Sequence, residues 1–205
     1  MINTNSFKST PKTLFFLFTV CLALYLLYVY VIEPYTNNRK CKLPTYQPEK
    51  WNDNGEPQKN NNCYAYAFRD LVPDRTNRKG VGEESGLPKI KGEKYTCPTF
   101  ENNMKIDHPD VVKSSKDSQC PCGSYKISLF LDTNEKSKDF HFYRQDNNDT
   151  WSHKIGGLPA TNLDATGNII MDPGTADRNY KEFNKNYDEV CGYYCVPYKS
   201  NSLLD

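Results

Sequence analysis

The segment Asp139–Lys154 reads DFHFYRQDNNDTWSHK, and the way it pairs with itself decides the fold. Two strand-like runs, Asp139–Gln145 (DFHFYRQ) and Thr150–Lys154 (TWSHK), flank Asp146-Asn147-Asn148-Asp149, whose short polar side chains favour turns. A β-hairpin is expected. Side chains alternate between the two faces of a strand, so the parity of the connecting loop sets which residues share a face. With an odd loop that pairs Arg144 with Thr150, His141 and His153 lie directly opposite each other on one face; a two- or four-residue loop sends them to opposite faces.

Strand-like segments lie on both sides of this hairpin. Tyr125, Ile127, Leu129 and Leu131 alternate with Lys126, Ser128, Phe130 and Asp132, the period of a half-buried strand. Ala160–Leu163 and Asn168–Met171 flank Asp-Ala-Thr-Gly as a second hairpin, and Glu189–Val196 (EVCGYYCV) reads as a closing strand. Before the sheet, Asn62–Val72 (NCYAYAFRDLV) places Tyr64, Phe68, Leu71 and Val72 at helical spacing. Asn61 or Asn62 can cap this helix at Cys63, and Pro73 ends it. Residues 74–96 read as an exposed loop, and Phe100–Met104 adds a helical turn. The expected class is α+β.

The chain has 205 residues. Near its start, Leu14–Ile32 (LFFLFTVCLALYLLYVYVI) carries no charge and reaches about 28 Å as a helix, close to the hydrocarbon thickness of a bilayer. Tyr25, Tyr28, Tyr30 and Tyr35 gather toward its C-terminal end, as amphipathic rings do at a headgroup boundary. An uncleaved transmembrane anchor is expected over residues 14–32, after a short tail at 1–13. Residues 33–60 read as a polar tether, 61–198 as the α+β domain and 199–205 as a C-terminal tail. Flanking charges, Lys8 and Lys12 against Arg39, Lys40 and Lys42, do not orient the anchor.

Seven of the eight cysteines (41, 63, 97, 120, 122, 191 and 195) follow the apolar segment, a density typical of oxidising compartments. The domain is therefore expected in a lumen, outside a cell or on a particle surface. Asn148-Asp149-Thr150 is an N-glycosylation acceptor triplet consistent with that placement. A formal net charge of +1 gives no electrostatic reason for a nucleic-acid partner. Cys120 and Cys122 flank one proline, and Cys191 and Cys195 lie about 13 Å apart on a regular strand, too far for a mutual bridge. Those four need partners elsewhere, and Cys41 and Cys97 sit in loops that can supply some. An odd number leaves one thiol over, and Cys63 is the one singled out.

Cys63 begins a helix, where free backbone N–H groups and the macrodipole favour a thiolate, with a pKa in the range of about 3.5–7.5. A thiolate nucleophile needs a proton acceptor, usually histidine. In the odd-loop register His141 acts on Cys63 and His153 orients it. The Cys63 backbone N–H, with Gln58 or Asn61 just upstream, would then stabilise an oxyanion. His108, before a proline, reads as structural. Four thiolates from Cys191-x3-Cys195 and Cys120-Pro-Cys122 are a weak zinc set. Asp146–Asp149 lacks a calcium loop's glycine at Trp151 and its glutamate at Gly157. No metal or cofactor is expected.

This order, a cysteine at a helix start, a histidine at a strand start and a polar third residue on the next strand, resembles the papain-like cell-wall cysteine hydrolases of the NlpC type and the related CHAP amidases. The two histidines are 12 positions apart, a spacing typical of the NlpC type. Asn62–Ala67 (NCYAYA) is similar to the Cys-x-x-Tyr-Ala pattern around a CHAP nucleophile, and Asp139–Tyr143 (DFHFY) to the strand bearing the general base. The resemblance covers residues 60–170. It departs at the nucleophile, which lacks Asp-Cys-x-Gly, and in the long interval from Cys63 to His141. It implies a papain-like domain with a nucleophile-bearing helix packed on an antiparallel sheet, with Cys63 as nucleophile, His141 as base and His153 as orienter. The substrate class it implies is peptide or peptidoglycan amide bonds. A membrane-anchored thiol hydrolase is thus one expectation. The other is a catalytically silent, disulfide-stabilised ectodomain that binds a glycan, receptor or partner protein on a cell or virion surface.

Overall fold

The computed structural model describes residues 11–32, 41, 43–74 and 76–205. Contacts divide the chain into two units, residues 1–41 and 42–205.

In the first unit, helix α1 (Pro11–Leu27) continues into a π-helical segment, Tyr28–Ile32. Phe15, Phe18, Tyr25 and Tyr30 are exposed along it. Among the described residues the α-helical ladder runs from Pro11 to Leu27, 17 residues. No helix among the described residues is long and apolar enough to cross a membrane. The transmembrane anchor expected over 14–32 is corrected accordingly; Tyr35 lies outside the described residues.

The second unit is built on an antiparallel sheet with few helices, in place of a papain-like domain behind a membrane helix. Its strands are β1 (Val112–Ser114), β2 (Ser124–Asp132), β3 (Asp139–Gln145), β4 (Trp151–Lys154), β5 (Ala160–Thr161) and β8 (Glu189–Pro197), in the order β1-β8-β2-β3-β4-β5. A small ribbon pairs β6 (Asn179–Tyr180) with β7 (Lys185–Asn186). Among the described residues, three α-helices precede the sheet: α2 (Glu56–Asn60), α3 (Cys63–Ala67) and α4 (Cys97–Asp107).

Period-two alternation divides the strand residues between two apolar layers. Tyr125, Ile127, Leu129 and Leu131 of β2 and Phe142 of β3 pack with Cys63, Tyr64, Phe68, Phe100 and Met104 of the helices. On the other face, Phe130, Tyr143, Trp151 and Tyr193 pack with Ile170, Tyr180 and Tyr187. Strand β2, expected to be half-buried, is therefore covered on both faces. Lys126 adapts by donating from Nζ to the Lys116 and Ser118 carbonyls.

A bulge in β8 accounts for its two cysteines. The register shifts between Leu129 and Phe130, with Gly192 opposite Leu129 and Val190 opposite Phe130; Gly192 takes φ +143°, a conformation open to glycine. The extra residue turns Cys191 toward the helix layer, where it bonds Cys97, while Cys195 on the other side of the bulge bonds Cys120. Cys41 and Cys122 are also disulfide-bonded.

The later part of the expected tether, from residue 43 on, and the expected tail belong to this unit. Trp51 is buried edge-on against Tyr66. Leu204 is buried, and Arg69 binds both the Lys199 carbonyl and Asp205. The strongest tie is Arg144, whose guanidinium lies 4.3 Å over the Tyr66 ring. It donates to Asp146 Oδ1 at 2.8 and 3.0 Å and reaches the Thr45 carbonyl at 3.3 Å. Both partners of this ion pair are buried. Arg144→Ala strands the Asp146 charge and is expected to lower stability by about 3–5 kcal/mol, whereas Arg144→Met with Asp146→Leu loses much less. Urea denaturation of the three proteins measures the difference, and equal losses would contradict it.

Candidate functional site

The β3–β4 loop holds five residues between the strands, an odd number, but the pairing is displaced by one pair from the expected one: Tyr143 faces His153 and Arg144 faces Ser152. Parity is what matters, so His141 and His153 still share a face, as diagonal neighbours. Their rings meet directly, His141 Nε2 to His153 Nδ1 at 2.8 Å, and His153 Nε2 lies 2.9 Å from the Leu163 carbonyl. A carbonyl only accepts, so His153 carries its proton on Nε2 and accepts from His141 Nε2–H through Nδ1. His141 stacks on Tyr187 at 4.6 Å and meets Tyr143 edge-on. The Tyr180 hydroxyl is 3.4 Å from His153 Nε2. Both imidazoles are buried. Burial holds His153 down to about 4, against smaller opposing effects of the Leu163 carbonyl and Asp164. His141 lies well below the usual histidine value, through burial first and the charge of His153 second.

Cys63 carries a free, buried thiol at the first position of α3. In contrast to the thiolate expected there, its pKa is pushed up to about 12, by burial first and the charge of Asp139 second. The physical reason is local. Helix α3 has five residues, and Asn62 Oδ1 already accepts the Tyr64 and Ala65 N–H groups, the donors that a thiolate needs. A helix end supplies about 0.3–1 kcal/mol to an anion, while the rise from 9 corresponds to about 4 kcal/mol against it. The Cys63 thiol instead donates to the Phe140 carbonyl at 3.6 Å.

Alternation along β3 then separates the expected partners. Phe142 lies in the helix-side layer with Cys63 and Phe140 packs against that layer, while Tyr143 and its same-face neighbour His141 face the tyrosine layer. Among the described residues no hydrogen bond joins Cys63 to either histidine.

Of the expected oxyanion donors, Asn61 is otherwise occupied. Asn61 is buried, and its Nδ2 donates to the Pro57 and Val72 carbonyls, each at 2.9 Å. Gln58 turns its side-chain oxygen to the Asn54 N–H, and its backbone carbonyl accepts from Lys154. Lys154, lowered by burial to about 8, bridges that carbonyl to the Gly156 carbonyl. His108 stacks on Phe68 at 3.9 Å. The residues that sequence reading missed are Asp139, Tyr180 and Tyr187. Tyr187 donates to Asp139 Oδ2 at 3.0 Å while roofing His141, and nothing in the polar run around Tyr187 announces this. No group of three or more His, Cys, Asp or Glu side chains among the described residues is placed to hold a metal ion.

Two measurements follow from these burials. In a Cys21→Ser chain, which removes the other free, exposed thiol, Cys63 is expected to resist dithiodipyridine until urea unfolds the protein; rapid labelling of the native state would contradict this. The second concerns acid. Because His153 is lowered in the folded state, the unfolded chain binds more protons between its own value of about 6.5 and the folded value, so stability falls as pH falls through that window. The loss from His153 alone approaches about 3 kcal/mol at pH 4, and a urea midpoint unchanged between pH 7 and 4 would refute it.

The chain is 36% identical over 145 residues to the insoluble matrix shell protein 1 of Ruditapes philippinarum, an alignment covering 67% of this chain and 84% of that protein. No family model matches the chain. No solved structure matches it.

Proposed function

The chain belongs to the family of the insoluble matrix shell protein 1, and from that membership we propose a non-catalytic, structural role in an extracellular matrix. The observation that carries the reading is the kinship itself, with a protein whose name describes an insoluble shell matrix. The hydrolase expected from the cysteine and histidine order is corrected by that kinship. The site also lacks what thiol catalysis requires: the nucleophile is a buried, protonated thiol, and its expected base is engaged in a closed histidine and tyrosine cluster.

The fold supports the same role. Disulfides Cys97–Cys191 and Cys120–Cys195 close intervals of 94 and 75 residues and tether both ends of β8 to segments remote in sequence. Cross-links over long intervals reduce the freedom of the unfolded chain and keep a domain intact where no chaperone renews it. A non-cytosolic location agrees with these bridges. Within the matrix, the domain acts as a rigid unit that binds a glycan or a partner protein.

Extraction of the extracellular material of a producing tissue or culture tests the role. The chain is expected in the insoluble residue, and a Cys63→Ala chain is expected to partition there equally. Recovery in a cytosolic fraction would overturn the reading, as would hydrolysis of an amide reporter that the wild-type chain performs and Cys63→Ala abolishes.

A further inference from the structure

We propose that Asn148 is a site of N-linked glycosylation, an inference that rests on the extracellular reading above. Asn148-Asp149-Thr150 is the sole Asn-x-Ser/Thr triplet of the chain. The fold puts it where a sugar can be carried. Asn148 is exposed in the β3–β4 loop, flanked by exposed Asn147 and Asp149, while the loop is rooted on buried Asp146.

The loop is also well defined. The Asp146 N–H donates to the Thr150 carbonyl at 2.9 Å and the Asp149 N–H to the Asp146 carbonyl at 3.2 Å. Asp149 takes the left-handed conformation at φ +63°, which aspartate tolerates in turns. The Asn147 N–H donates to the Pro44 carbonyl at 2.7 Å. Within the triplet, Thr150 donates to Asn148 Oδ1 from its hydroxyl at 2.8 Å and from its backbone N–H at 3.2 Å. Only the carboxamide oxygen is engaged. Asn148 Nδ2, the atom that would be modified, has no protein partner among the described residues. A sugar on it displaces no packed side chain and breaks no hydrogen bond. Asn61 shows the contrast, being buried with Nδ2 held by two carbonyls.

Cys97, Cys191, Cys120 and Cys195 are paired, and Cys41 and Cys122 are disulfide-bonded as well, a state reached in the oxidising lumen where N-glycosylation occurs. The donor is a polyisoprenyl-diphosphate-linked oligosaccharide. A bond forms between Asn148 Nδ2 and the anomeric carbon of the first sugar, the bond from that carbon to the diphosphate oxygen breaks, the lipid diphosphate leaves, and one amide proton is lost to base. The glycan then covers the loop end of the β3–β4 hairpin with hydrated hydroxyls and gives the domain a sugar of its own within a matrix.

The test is expression of the full chain in a secreting eukaryotic host, followed by intact-mass measurement before and after peptide N-glycosidase. Loss of one glycan mass, with position 148 converted to aspartate, is expected. Asn148→Gln and Thr150→Ala abolish the modification, Thr150→Ser retains it, and all three keep the wild-type urea midpoint, since the loop side chains changed are outside the core. A secreted chain with intact disulfides and unmodified Asn148 overturns the proposal and leaves the matrix role standing. A glycan mass that persists in Asn148→Gln also overturns it. A chain retained in the cytosol with reduced cysteines overturns both.

Discussion

The buried pairing of Arg144 with Asp146 is the constraint on which the remaining structure depends. A guanidinium without contact to water must be met on every side, and here the partners come from separate parts of the chain: Asp146 from the hairpin loop, the ring and carbonyl of Tyr66 from α3, and the Thr45 carbonyl from the segment before α2. Meeting that requirement fixes where α3 lies on β3 and ties the segment at Thr45 to the hairpin. It also sets the loop that closes β3 onto β4. Once this loop holds five residues, the parity of every side chain on β4 follows, and with it the meeting of His141 and His153.

The same sheet then divides groups that the sequence places in an order resembling a catalytic one. Cys63 joins the helix-side layer and the histidines join the tyrosine layer, because residues at successive positions of β3 point to opposite faces. Burial decides the chemistry on each side. It opposes charge on the thiol more strongly than a five-residue helix can favour it, and it keeps both imidazoles neutral. What results is a buried, neutral thiol on one face of a disulfide-braced sheet and a hydrogen-bonded histidine pair on the other.

Much of this was legible at the level of local pattern. Alternation along 125–131, the turn residues at 146–149, and Asn62 ahead of Cys63 each correspond to an element of the structure, because each is set by interactions within a few residues. The cysteine spacings likewise excluded Cys120–Cys122 and Cys191–Cys195 as pairs, since backbone reach is a local property. The Leu14–Ile32 segment misled for the same reason: hydropathy reports composition, whereas the described helix ends at Leu27 and passes into a π-helical turn.

The sequence by itself determined the hairpin, its parity alternatives, the position of Cys63 at a helix start and the need for long-range disulfides. Tertiary structure alone decided the register, the bulge at Gly192 that sends Cys191 and Cys195 to opposite faces, the burial of Trp51 and Leu204, and the environment of the thiol. Those outcomes depend on which remote segments cover a surface. Desolvation and long-range pairing arise between residues far apart in the chain, so no local pattern records them.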